Sequence, residues 1–101
     1  MSMVVGLLRL DLAVFGSTSL KDKRRAIRSL KDRLTGKFNV SVAEVDSLDS
    51  HQHAVLGVAL VANDSTFVHQ CLDKILDVVR MDREANLVRS QKRVESGGLD
   101  D

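Results

Sequence analysis

The chain has 101 residues, 44% apolar and 29% charged, which suits one compact domain and leaves no room for a second. No apolar run approaches the ~20 residues needed to span a bilayer, because Arg9 and Asp11 interrupt the N-terminal one, and Met1-Ser2-Met3 has no cationic region of an export signal; a soluble cytoplasmic protein is expected, with no membrane contact. The net charge is only +1, yet eight of the fifteen lysines and arginines fall between Lys21 and Lys37, against two of the fourteen acids, so this segment is strongly basic and the remainder acidic.

Over residues 3–14 the even positions Val4, Leu8, Leu10, Leu12 and Val14 are apolar with Gly6 among them, while the odd positions turn polar at Arg9 and Asp11. This alternation predicts a strand with one buried face and a second face that is apolar only at its start. Ser19 with Asp22 three residues on predicts a helix start: the serine oxygen accepts a free N–H of the first turn, and the carboxylate reaches back to the serine N–H. The helix carries Leu20, Ile27, Leu30 and Leu34 on one face and is expected to stop at Gly36 in a left-handed terminus. Phe38, Val40 and Val42 alternate with Asn39, Ser41 and Ala43, predicting a second strand, and residues 46–53 read as a polar loop.

Residues 54–62 are apolar on both faces, as in an interior strand, with Gly57 leaving room for a close neighbour. Asn63-Asp64-Ser65 offers a second helix cap, and Val68, Cys71, Leu72, Ile75, Leu76 and Val79 follow helical spacing. Residues 86–94 form a weaker last strand broken by Arg89, Lys92 and Arg93, and residues 96–101 are polar and glycine-rich, expected as a disordered tail after a domain over 1–95. The order βαββαβ predicts an α+β, ferredoxin-like sandwich, with two helices on one face of a four-stranded antiparallel sheet. That topology puts the first and third strands in the centre, and these are the most apolar strands here.

Val5-Gly6-Leu7-Leu8-Arg9-Leu10, Ser19-Leu20-Lys21-Asp22-Lys23-Arg24-Arg25, the run from Phe38 to Asp46, and Leu56-Gly57-Val58-Ala59 with Asn63-Asp64 together resemble the YlxP-like family of small bacterial proteins. The resemblance spans roughly residues 3 to 95. It implies the same fold and a bacterial cytoplasmic setting, often with genes for translation initiation and ribosome maturation, and it implies no activity. His51 and His53 stand where the resemblance leads one to expect an aromatic and a basic residue, and the last strand is more charged than usual.

At 100° per residue, Lys21, Arg24, Arg25, Arg28 and Lys31 fall within an arc of about 120° beside the apolar face. Such a stripe suits successive phosphates of an RNA or ribosomal partner, contacted without reading bases. The bland alternative is a solvated face partly neutralised by Asp73 and Asp77 of the second helix, but exposed ion pairs contribute only about 0 to 1 kcal/mol each. Base stacking on the sheet is disfavoured, since the chain has three Phe and no Tyr or Trp.

His51 and His53, with Asp46 and Asp49 nearby, lack a defined third ligand, so no metal is expected. Glu44 and Asp46 are two apart and read as a strand end in water. Cys71 reads as core, and as the single cysteine it forms no internal disulfide. No catalytic triad, dinucleotide fingerprint, copper-carrier cysteine pair or acylphosphatase arginine loop is present, so an enzyme is not expected and no cofactor is implied. Val5 and Leu7, with part of the third strand, predict an apolar open sheet face, hence a homodimer through that face or an edge strand. A protein-interaction or small-ligand regulatory module with a dimeric sheet is the competing functional reading.

Overall fold

Alternating apolar residues need a two-sided sheet to sit in, and the computed structural model, which describes residues 2–97 and 99, supplies one. The elements are β1 (Val4–Ala13), α1 (Leu20–Lys37), β2 (Ser41–Asp46), β3 (His53–Ala62), α2 (Ser65–Arg80) and β4 (Asn86–Ser96). The sheet order is β2-β3-β1-β4, antiparallel throughout, so the two most apolar strands are central as expected. Leu8 lies opposite Val58 and Leu10 opposite Leu56, which puts the buried residues of both strands on one face.

Both helices cover that face. A Cβ added to Gly6 would lie 2.5 Å from Val68 Cγ1 and 3.3 Å from Leu72 Cδ1 of α2, and Glu44, opposite Leu56, reaches Lys23 of α1. The core is filled by Leu8, Leu10, Leu12, Leu56 and Val58 from the sheet, Ile27, Leu30 and Leu34 from α1, and Val68, Leu72, Ile75 and Val79 from α2. This is the α+β ferredoxin-like sandwich of the sequence reading.

The helix ends differ in detail. Ser19 Oγ accepts from Asp22 N at 3.1 Å, but the Asp22 carboxylate turns to Thr18, accepting from its N–H at 3.3 Å and its hydroxyl at 2.9 Å. At the other end α1 runs through Gly36 and closes on Phe38, whose extended backbone donates its N–H to Leu34 O at 2.9 Å. No left-handed glycine is needed, because the partly buried Phe38 carries the chain onto the core. The second strand is later than expected: the Val40 N–H bonds Phe38 O in a tight turn, the ladder begins at Ser41, and a bulge at Val45 extends it to Asp46. Phe38 and Val40 still pack on the core, so their alternation reported burial rather than strand pairing. Of the segment 96–101, Ser96 ends β4 and the Gly97 N–H bonds Met3 O, while Gly98, Asp100 and Asp101 lie outside the described residues.

The β2–β3 hairpin is tied to α1 by a buried ammonium. Lys23 is 0% exposed, and its Nζ donates to Glu44 Oε2 at 2.9 Å, Ser47 O at 2.9 Å, His53 O at 3.2 Å and Leu48 O at 3.4 Å. Three N–H groups serve four oxygens, so the long contact to Leu48 is a shared one. Ser47 adopts φ 59°, a left-handed conformation that turns its carbonyl towards the cation.

Removing the ammonium leaves the Glu44 carboxylate, only 18% exposed, and the hairpin carbonyls without their donor, so Lys23→Met is expected to lower unfolding free energy by about 3 kcal/mol, read from urea melts. Adding Glu44→Gln to that variant should cost far less than the two single changes summed, because both break one network. Gly6→Ala should destabilise by about 1–3 kcal/mol, since the new methyl must displace Val68.

Candidate nucleic-acid interface

A helix with a buried side must turn its other side to solvent, and the sequence of α1 loads that side with cations. Ala26, Ile27, Leu30 and Leu34 are buried, and Lys21, Arg24, Arg25, Arg28 and Lys31 are all exposed. At 1.5 Å rise per residue the stripe from Lys21 to Lys31 is about 15 Å long.

The acidic helix does not neutralise it. Arg33 marks the flank of α1 that meets the end of α2, because it pairs with Asp82, whose carboxylate also accepts from the N–H groups of Glu84 and Ala85. Arg24, Arg28 and Lys31 lie roughly 140–180° around the helix from Arg33. Asp73 instead pairs with Lys92 of β4 at 3.1 Å, and Asp77 with Arg80 of its own helix at 3.9 Å. Within the stripe Arg25 pairs with Asp22 at 3.6 Å, while Lys21, Arg24, Arg28 and Lys31 have no ion pair among the described residues.

Two of the eight cations in the segment are therefore structural. Lys23 is sealed in the core and Arg33 braces the loop after α2. The burial of Lys23 had a signal in the sequence: Lys23, Ile27, Leu30 and Leu34 are spaced i, i+4, i+7, i+11, the apolar template of a core-facing helix with a lysine in its first place.

The remaining candidates separate in space. Glu44 faces the helices and Lys23, but the bulge at Val45 turns Asp46 to the open face, where it lies 3.9 Å from Arg9, so the two carboxylates are not a pair. His51 is exposed in the hairpin turn, and His53 opens β3 with its carbonyl on Lys23. Among the described residues no three His, Cys, Asp or Glu side chains converge. Cys71 is half-buried against the core. None of the four strands contains a Phe, so the sheet has no phenyl platform on which bases could stack. Among the described residues no helix is long and apolar enough to cross a membrane.

Residues 5–92 match the family described as "Protein of unknown function (DUF503)". The chain is 27% identical over 73 residues to the "Uncharacterized protein YlxP" of Bacillus subtilis (strain 168), covering 72% of this chain and 79% of that protein. Among solved structures it is similar to LarC2, the C-terminal domain of a cyclometallase involved in the synthesis of the NPN cofactor of lactate racemase, with a TM-score of 0.47 and 10% identity. That likeness covers 95% of this chain and 57% of the LarC2 chain.

The hydrogen bonds from Thr18, and then the nearby Arg25 guanidinium, hold the Asp22 carboxyl below its ordinary value of 3.8. A lowered folded value stabilises the protein above the unfolded value, and that contribution is lost as pH falls from about 4 through the folded value. Asp22→Asn should therefore flatten the acid limb of a plot of denaturation midpoint against pH, leaving the neutral region parallel to the wild type.

Proposed function

The chain belongs to the DUF503 family, and we propose that it is a non-enzymatic cytoplasmic accessory factor that attaches to the phosphate backbone of structured or ribosomal RNA through Lys21, Arg24, Arg25, Arg28 and Lys31. The observation that carries this reading is the set of five exposed cations on α1, of which Arg24, Arg28 and Lys31 are turned away from the flank that meets α2 and all but Arg25 have no ion pair among the described residues. Guanidinium and ammonium groups on a rigid helix neutralise successive phosphates without an ordering cost in the backbone that presents them. Such contacts fix position and orientation and carry no base sequence, so the expected ligand is a shaped RNA rather than a sequence motif. Arg24 and Arg28, one turn apart, are placed to fork onto phosphate oxygens, and Lys21 and Lys31 extend the charge along the axis.

The test is binding of ribosomal subunits and of structured RNA as salt is raised, for the wild type and for Arg24→Glu with Arg28→Glu. Affinity should fall log-linearly with salt, and the double variant should bind more weakly with a slope shallower by about two. Absence of binding at low salt, or an unchanged slope in the variant, would overturn the RNA reading and leave an acidic protein surface as the partner of the stripe.

A further inference from the structure

From the face of the sheet that no helix covers, we infer that two copies of this chain pack sheet to sheet about a twofold axis running along the strands between β1 and β3. On that face the two central strands present Val5, Leu7, Ala59 and Val61 at one end, with Leu7 41% and Val61 62% exposed, and beyond them Arg9, which pairs with Asp11 and at 3.9 Å with Asp46. Val45 of β2 adds to the patch: it sits over Gly57, where an added Cβ would lie 3.1 Å from its Cγ1, and it remains 54% exposed.

The register makes the face complementary to itself. Asp46 lies opposite Val55, Val55 opposite Asp11, and Asp11 opposite Arg89, so one row across the sheet has a carboxylate at the β2 edge and a guanidinium at the β4 edge. Arg89 has no ion pair among the described residues. In the order β2-β3-β1-β4 the two edge strands are equally far from an axis between β3 and β1, about 7 Å at the usual strand spacing. Rotation about that axis lays Leu7 on the partner's Ala59 and Val5 on the partner's Val61, and brings Arg89 to the partner's Asp46 at both ends of the row. An isologous interface needs this self-complementarity. The long arginine arm absorbs the ~30° by which twisted sheets turn when stacked.

Size is sufficient. Three strands about 33 Å long and the six-residue β2, about 20 Å long, spaced about 4.8 Å apart, give roughly 570 Å² per copy and about 1,150 Å² in all, above the about 1,000 Å² that a specific interface should clear. Pairing through an edge is the poorer arrangement. Along β4 it would bring Arg89, Lys92 and Arg93 against their own copies, and β2 offers six residues with a bulge.

Sedimentation equilibrium at micromolar concentration should give twice 11.1 kDa for the wild type. Leu7→Glu with Val61→Glu, both on exposed positions, should give monomers with an unchanged circular-dichroism spectrum. Arg89→Glu and Asp46→Lys should each raise the dimer dissociation constant by about tenfold, and an equimolar mixture of these two variants should recover affinity, because opposite charges then meet at both contacts. A wild-type monomer throughout the range, or a dimer that survives Leu7→Glu with Val61→Glu, would overturn the interface. Failure of the mixture to recover would overturn the orientation of the axis.

Discussion

A lysine ammonium with no access to water governs the rotational setting of this molecule. Lys23 lies on the core-facing side of α1 and is met by Glu44 and by hairpin carbonyls at Ser47, Leu48 and His53. Apolar packing alone is non-directional and tolerates a rolled helix, whereas charge-assisted hydrogen bonds do not. Rolling α1 would break the cation from its oxygens, so the same helix that hides one cation holds the exposed ones at a fixed aim. The rigidity of the basic stripe is thus a consequence of a charge that takes no part in it.

Much of the architecture was legible in the chain. The even positions of β1 gave its buried face, the two-sided apolar run marked β3 as central without choosing its buried face, Ser19 caps α1 as expected, and of Asn63-Asp64-Ser65 it is Asp64 that caps α2. Gly57 does make room for a neighbour, Val45. Less legible was anything that depended on residues far apart in sequence. Phe38 and Val40 show the same alternation whether they pair in a strand or pack in a turn, and only the tertiary position of β3 decides between them. Glu44 and Asp46 read alike as a strand end in water, whereas a bulge at Val45, which leaves no mark on composition, sends Glu44 to Lys23 and Asp46 to the open face.

The candidate interface divides in the same way. Exposure of the five stripe residues followed from helical periodicity alone, since a face opposite Ile27, Leu30 and Leu34 has nowhere to go but solvent. Their freedom from the acidic helix did not, because Asp73 and Asp77 lie on the same side of the sheet and only side-chain placement shows Asp73 committed to Lys92 and Asp77 to Arg80. The charges of this small domain are thereby sorted by element: α2 settles its acids with itself and with β4, and α1 is left positive outward.

The left-handed setting of Ser47 bears on how the hairpin tolerates evolutionary drift. A serine at φ 59° is held there against its intrinsic preference, and its carbonyl is committed to the lysine beneath it. Glycine or asparagine could replace it with relief of that conformational cost, while a β-branched side chain would add to it. The tip of the loop, from Asp49 to Gln52, meets no such restriction from the cation. Variation in this segment should therefore be lopsided, wide at Asp49 and His51, narrower at Ser50 and Gln52, which hold the hairpin turn and the end of β1, and narrowest at Ser47, where the backbone sets the limit.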